Sequence, residues 1–491
     1  MRRTCSLERP GRVEVSRPRG ERRAWAPRRV LFLAALAITA IAPIPAEANG
    51  SFPQAGQIIV DPSDPDHIIA RTTFGLLTTR DAGKTWDWIC EHGVGYQDYL
   101  PAIGVTGDGS VLAGLLDGLR VASPGTCSFT YGAGLEQHYA IDVTIDRSAP
   151  ATAWVNASAP PASDAVWRST DHGVGWIPQG APLPNDFRSL TIDVAPSDPS
   201  RVYVSGLSGT GSYVGAIARS TDLGASWEIL EIPGSDAQTA PYLGAIDPAN
   251  ADVLYVRLDG APGRLLSSQD GGGSWQTVFM GAGLLRGFAL SPDGAMVVVG
   301  GTNDGLWRAD TQTFVFDQVF TGSVQCLTWT AAGIYACATQ PFDEFTLGLS
   351  RDGGASFATL LDLPCLRGPL DCPGQSSVGS ICPAEWPAIA LQTGHVDECS
   401  SGAGAGGGGT GGEGGKPIPD AGTDQGGGGS GGTPPTPVDP PATGCACRAS
   451  DHTNRKGTLP MTLAALALIT AQKRRRAERS PTQRRHRAER S

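Results

Sequence analysis

Three observations predict an all-β chain folded as a seven-bladed β-propeller of four-stranded blades. An eight-residue pattern, Ser/Thr-x-Asp-x-Gly-x-(Ser/Thr/Gly)-aromatic, appears as Ser220-Thr-Asp-Leu-Gly-Ala-Ser-Trp227 and again at 79–86, 169–176, 268–275 and 350–357. Short runs rich in Ile, Val, Thr and Trp separate the copies, punctuated by Pro, Asp and Gly. Two worn copies complete the series: 118–129 has lost the Asp, and 305–316 has lost the Gly turn. Counting both, seven units follow at intervals of 40 to 51 residues, the length of one four-stranded blade. A solenoid of β-units would need capping units, and none is visible.

The first unit shows the plan. Gln57-Ile-Ile-Val60 leads into the turn Asp61-Pro-Ser-Asp-Pro65, then 67–73, 76–79, the pattern itself, and Trp86-Asp-Trp-Ile89. The order recurs over 190–219 and 244–256, each ahead of the next copy. Within the pattern the Asp and Ser/Thr side chains suit backbone N–H groups across a turn between third and fourth strands. Gly permits a positive φ, and the aromatic residue packs between blades. Asp81, Trp86, Asp171, Trp176, Asp222, Trp227, Asp270, Trp275, Asp352 and Phe357 are therefore assigned structural work. The pattern resembles the Asp-box, or BNR, repeat of sialidase-like propellers. That resemblance implies boxes on the outer rim, away from the face that usually takes ligand. The Asp-Pro-Ser-Asp-Pro turns lack the ordered oxygen ligands and closing Glu of an EF-hand, so they read as plain turns. No metal and no cofactor is expected.

Both ends have the character of targeting segments. Ten Arg precede the apolar run 30–41, and Ala46-Glu-Ala48 supplies the small residues of a cleavage site, so 1–48 reads as a secretory signal peptide. The propeller is expected over 49–363, a Cys-rich disulfide-held appendage over 364–399, and a Gly/Pro-rich linker over 400–443. That linker cannot bury a core, and forty-odd residues of it would reach about 35–40 Å. Residues 444–491 carry Cys445 and Cys447, a short apolar stretch at 459–471 and the basic run Lys473-Arg-Arg-Arg476. The stretch would make a helix of about 20 Å, short of the roughly 30 Å of bilayer hydrocarbon. This arrangement resembles the C-terminal sorting tail of myxobacterial surface proteins, which implies recognition at Gly444-Cys445, removal of the tail and lipid attachment at Cys445. The implied address is the cell surface or outer membrane, with membrane contact only through that processed end; a simple tail anchor is the alternative.

Without the two ends, 16 Lys and Arg stand against 41 Asp and Glu, a net charge near −25. Such a domain repels nucleic acid and anionic lipid. Eight Cys remain between the ends, an even number that in an exported chain implies four disulfides. A two-residue turn at Ala331-Ala332 would set Cys326 directly opposite Cys337, predicting a cross-strand bridge. Cys90 and Cys127 occupy matching places in blades one and two and are expected to bridge them. Cys365, Cys372, Cys382 and Cys399 lie where no strand period is clear, and their connectivity stays open.

Ligand is expected on the face made by second-to-third-strand loops and inter-blade loops. Segments 91–100, 136–139, 156–164, 184–188, 205–214, 257–264, 283–286, 302–304 and 340–345 map there. Tyr96, Asp98, Tyr99, His138, Tyr139, Arg188, Tyr242, Arg257, Arg286 and Asp304 are the candidate contacts, because aromatic rings with acids and Arg hold sugars or peptide segments. The leading reading is a non-catalytic, monomeric surface platform for a glycan or protein ligand. Sialidases and xyloglucan-cleaving enzymes share the boxes, so a glycoside hydrolase is the alternative. A sialidase would show Arg-Ile-Pro before the first box; here Arg71 is followed by Thr-Thr. A two-carboxylate glycosidase needs a pair of acids across the funnel. Asp98 with Asp304, or Asp343 with Glu344, can be nominated, but nothing selects them as catalytic. A third reading, by analogy of fold with the Asp-box propeller that helps assemble photosystem II, is an assembly factor.

Overall fold

The repeated turn shows why each blade doubles back where it does. Asp222 Oδ1 accepts from Ser220 Oγ at 2.8 Å and Ser226 N–H at 2.9 Å, while Oδ2 accepts from Ser226 Oγ at 2.6 Å. Ser220 Oγ in turn accepts from Gly224 N–H at 2.7 Å. Leu223 (φ 58°) and Gly224 (φ 84°) are both left-handed, so the chain reverses within three residues and the carboxylate satisfies the donors that this exposes. Asp81, Asp270 and Asp352 make the same bonds, whereas Asp171 keeps the Ser169 hydroxyl but lacks the second one on Oδ2, because Gly175 stands in its place.

The computed structural model describes residues 53–399, save Thr126, Pro341, Glu344 and Glu398. Residues 1–52 and 400–491, on which the expected signal peptide, linker, sorting tail and Cys445 fall, lie outside the described residues. Within them, 28 strands form seven four-stranded antiparallel sheets, each with its strands in chain order. The blades cover 55–89, 102–131, 139–178, 187–231, 241–280, 285–320 and 326–361. First strands of successive blades neighbour one another around a ring, and that of blade 7 returns to that of blade 1. The seven-bladed all-β propeller expected from the sequence is the fold observed.

Buried side chains form layers between blades. Leu112 and Val121 of blade 2 meet Val143, Val155 and Trp176 of blade 3; Trp154 and Val166 of blade 3 meet Ile192, Val202 and Val204 of blade 4. Each sheet is covered on both faces, so middle strands such as Val202–Ser208 begin as near-continuous buried runs. The aromatic residue of the repeated turn fastens each layer from outside. Trp227 Nε1 donates to Ala181 O of blade 3, and Trp86 Nε1 to Leu360 O of blade 7.

No strand is shared at the point of closure, and a C-terminal latch supplies the join instead. Thr328 Oγ1 donates to Ile58 O across the blade 7 to blade 1 junction. Beyond blade 7 the chain runs parallel to the outer strand of blade 1: Arg367 N–H donates to Trp86 O, Trp88 N–H to Gly368 O, and Leu370 N–H to Trp88 O, at 2.8–3.0 Å. It then forms a helix, Ser377–Thr393, capped by Ser376 Oγ on Gly379 N–H and ended by left-handed Gly394. This helix packs against a short helix, Glu91–Val94, after blade 1.

The disulfides follow the latch. Cys326 bonds Cys337 across a register that sets them opposite, with Thr330 paired to Gly333. Cys90 and Cys127 do not bond each other, which corrects the sequence expectation: Cys90 bonds Cys382 and Cys127 bonds Cys372. The helix lies against the outer edge where those two cysteines sit, so each finds a partner from the far end of the chain. Only Cys365–Cys399 is internal to the 364–399 segment, which is thereby fastened onto blades 1 and 2.

Candidate ligand-binding face

In an antiparallel blade, the start of the first strand and the end of the second share one end of the sheet, and the repeated turns lie at the other. The candidate contacts gather at the first of these ends. Tyr99, Tyr139 and Tyr242 come from the blade 1–2 connection and the first strands of blades 3 and 5, all half-buried. Burial pushes each phenol upward, and Tyr139 adds to the shift of both Tyr99 and Tyr242. Tyr99 OH also accepts from Leu116 N–H at 3.2 Å. Arg286 lies close enough to oppose the rise at Tyr242 and is itself exposed, as is Arg188 on the first strand of blade 4.

The other candidates have structural attachments. Arg257 donates to Leu285 O, stapling blade 5 to blade 6, as Arg71 donates to Pro101 O of the next connection at 2.8 Å. Tyr96 is buried with its ring 5.4 Å from Tyr99, and its phenol is raised by burial, then by Glu91, against Arg71. His138 packs edge-on to Trp167 at 4.9 Å, and Asp98 stands exposed at a left-handed φ of 61°. Asp304 is 7 % exposed and accepts from Ala282 N–H at 2.5 Å and Gly283 N–H at 3.2 Å.

Asp304 exemplifies a wider habit of this face. Asp164 accepts from both the N–H and Oγ of Ser189 at 2.9 Å, tying a blade 3 loop to blade 4. Asp343 accepts from Ser323 N–H and Oγ and from Thr339 N–H, tying a blade 7 loop to the connection before it. Each acid holds a second-to-third-strand loop in place, Asp164 against the next blade and Asp304 and Asp343 against the connection before their own. Glu344, nominated beside Asp343, lies outside the described residues.

Two acids not singled out by sequence are raised well above the ordinary carboxyl range. Burial raises Asp142 to about 6, with Asp193 adding to the rise while the N–H groups of Ile192 and Val143, then Arg71, oppose it. Its Oδ2 accepts Ile192 N–H at 3.0 Å, joining blade 3 to blade 4. Burial likewise raises Glu91 to about 7, opposed by Asp98 N–H. Asp142 sits in a strand whose register alone determines which face it takes, and Glu91 opens a one-turn helix, so no motif marks either. Opposite Asp142, Asn156 is fully buried.

No protein-family model and no curated protein sequence matches the chain. Among solved structures, an ancestral GH74 enzyme is 14 % identical with a TM-score of 0.49, covering 63 % of this chain and 46 % of its own. The GH74 enzyme of Niastella koreensis is 14 % identical with a TM-score of 0.37, covering 62 % and 64 %. Hydrazine synthase of Kuenenia stuttgartiensis is 11 % identical with a TM-score of 0.47, covering 63 % and 99 %. The chain thus spans about half the length of the first of these.

Proposed function

We propose that the chain is a non-catalytic binding platform, exported and held at the cell surface, whose tyrosine-ringed mouth takes a glycan or a peptide segment of a protein ligand. The observation that carries this reading is the division of labour on that face. Asp164, Asp304 and Asp343 are spent on fastening loops, while Tyr139, Tyr242, Arg188 and Arg286 present rings and donors to the opening. Aromatic bodies with polar tips and guanidinium donors suit sugar rings and peptide backbones alike. Four disulfides support export, because they form and persist in oxidising compartments. The repeated turns, akin to Asp-boxes, leave this face free by lying at the opposite end.

Glycoside hydrolysis is the second reading, favoured by one observation: Asp142 at about 6 and Glu91 at about 7 hold protons in the range a general acid needs. Against it, Asp142 is bonded into the blade 3–4 junction through Ile192. A glycan array probed with the purified chain tests the platform, with Tyr242→Ala and Arg286→Ala as controls. Retention of a glycan, weakened at least tenfold by either substitution, is expected. A silent array would move the ligand to proteins, and turnover of a generic glycoside would overturn the non-catalytic reading.

A further inference from the structure

The blade 1–2 junction differs from its neighbours on the side of the repeated turns. Elsewhere the aromatic residue of one blade's turn plugs the groove against the preceding blade, as Trp227 and Trp86 do. Blade 6, a worn copy, still fills its groove, with the Phe316 ring 4.8 Å from Phe279 of blade 5. Blade 2 has lost more: its turn carries neither the Asp nor a Trp, and its Phe129 turns into the layer beneath the latch. A cavity of about 320 Å³ is left between blades 1 and 2, near the lower end of the roughly 300–1,000 Å³ range of small-molecule sites. Leu370 and Val378 of the latch wall one side, and the Cys90–Cys382 and Cys127–Cys372 bonds hold that wall in place. The site is therefore formed before any ligand arrives.

A buried histidine is built into it. His67 lines the cavity, is 1 % exposed, and has Nδ1 3.0 Å from Asp61 Oδ2. Asp61 is 4 % exposed, and its other oxygen accepts the N–H groups of Ser63 at 2.8 Å and Asp64 at 3.3 Å. A carboxylate on Nδ1 fixes the neutral ring as the Nδ1–H tautomer. In that tautomer Nε2 carries the lone pair, an acceptor on a residue that lines the cavity. Around it the walls are largely apolar, with Ile69 from blade 1 and Val111, Ala122 and Phe129 from blade 2. Of the charged lining residues, Asp81, Asp87 and Asp371 outnumber Arg80 and Arg367, a balance unfavourable to a carboxylate ligand.

We propose that this cavity is a binding site for a small, mostly apolar molecule bearing one hydroxyl, a phenol or a short alcohol, whose O–H donates to His67 Nε2. It lies at the opposite end of the blades from the mouth and does not depend on what binds there. Calorimetry on the full oxidised chain with phenol, toluene and benzoate tests it. Phenol is expected to bind saturably at one site, toluene at least tenfold more weakly, and benzoate not to compete. Ala122→Leu, which fills the cavity, should abolish phenol binding, and His67→Phe should bring phenol and toluene to equal affinity. Because either variant can fail to fold, the Nε2 nitrogen resonance of His67 in the unaltered chain gives an independent reading and should move on titration with phenol. Absence of saturable phenol binding, equal affinity for toluene, preference for benzoate, or an unmoved His67 resonance would each overturn the proposal.

Discussion

At the scale of single residues, carboxyl groups divide into two kinds with opposite dependence on pH. Hydrogen bonds from the Ser274 hydroxyl and N–H, then from Ser268, hold Asp270 down at about 2, and the equivalent donors lower Asp222 and Asp352. A lowered folded value adds stability that is full above about pH 4 and is lost as the pH falls towards 2. Asp142 and Glu91 work the other way: burial raises them to about 6 and 7, so they favour folding below about pH 4 and that contribution is lost as the pH rises to 6–7. Melting temperature should therefore decline on both sides of about pH 4. Asp142→Asn should flatten the slope between pH 4 and 6 and leave the acid limb in place; an unchanged slope would show that Asp142 does not titrate there. The turn aromatics make a stability prediction at the same scale. Trp86 is 2 % exposed and bonds Leu360 O across the closing junction, so Trp86→Ala should cost about 3–5 kcal/mol, read from the denaturant midpoint.

At the scale of elements, the turns were legible and the latch was not. Each blade repeats the same local solution, an Asp with left-handed residues beside it, and local chemistry shows in sequence. Cys326–Cys337 was legible for the same reason, since a two-residue turn determines the register on both sides. The pairing of Cys90 depends on a helix that carries Pro383 and Pro387 in its interior and buries only Val378, Cys382 and Thr393, so periodicity does not announce it, and Cys372, the partner of Cys127, precedes that helix. Their partners are 292 and 245 residues away, a distance over which sequence says nothing of contact. The same distances predict unequal worth. In the chain-entropy model a 15-residue loop gives about 3 kcal/mol and a 100-residue loop about 4.7 kcal/mol. Replacing Cys326 and Cys337 by Ser should therefore cost less than about 3 kcal/mol, and replacing Cys90 and Cys382, whose loop the retained Cys127–Cys372 bond shortens, between about 3 and 4.7 kcal/mol. Denaturant midpoints of the two double variants check the order.

At the scale of the whole molecule, the ring explains where function can reside. Seven blades built each from its own four strands leave closure to side chains, to the parallel run beside Trp88 and to the disulfides of the latch. The rim is consumed by this fastening, and much of the opposite face by Asp164, Asp304 and Asp343. What is left over are tyrosines and arginines at the starts of first strands, whose roles register decides: Arg257 is a staple to Leu285 O, while Tyr139 and Tyr242 stay half-buried and Arg188 and Arg286 exposed. The most direct test is to recover the glycan that the purified chain retains and weigh it after prolonged incubation. Intact glycan, with retention lost in Tyr242→Ala, is the predicted result; cleaved glycan, with cleavage abolished by Asp142→Asn, would contradict it.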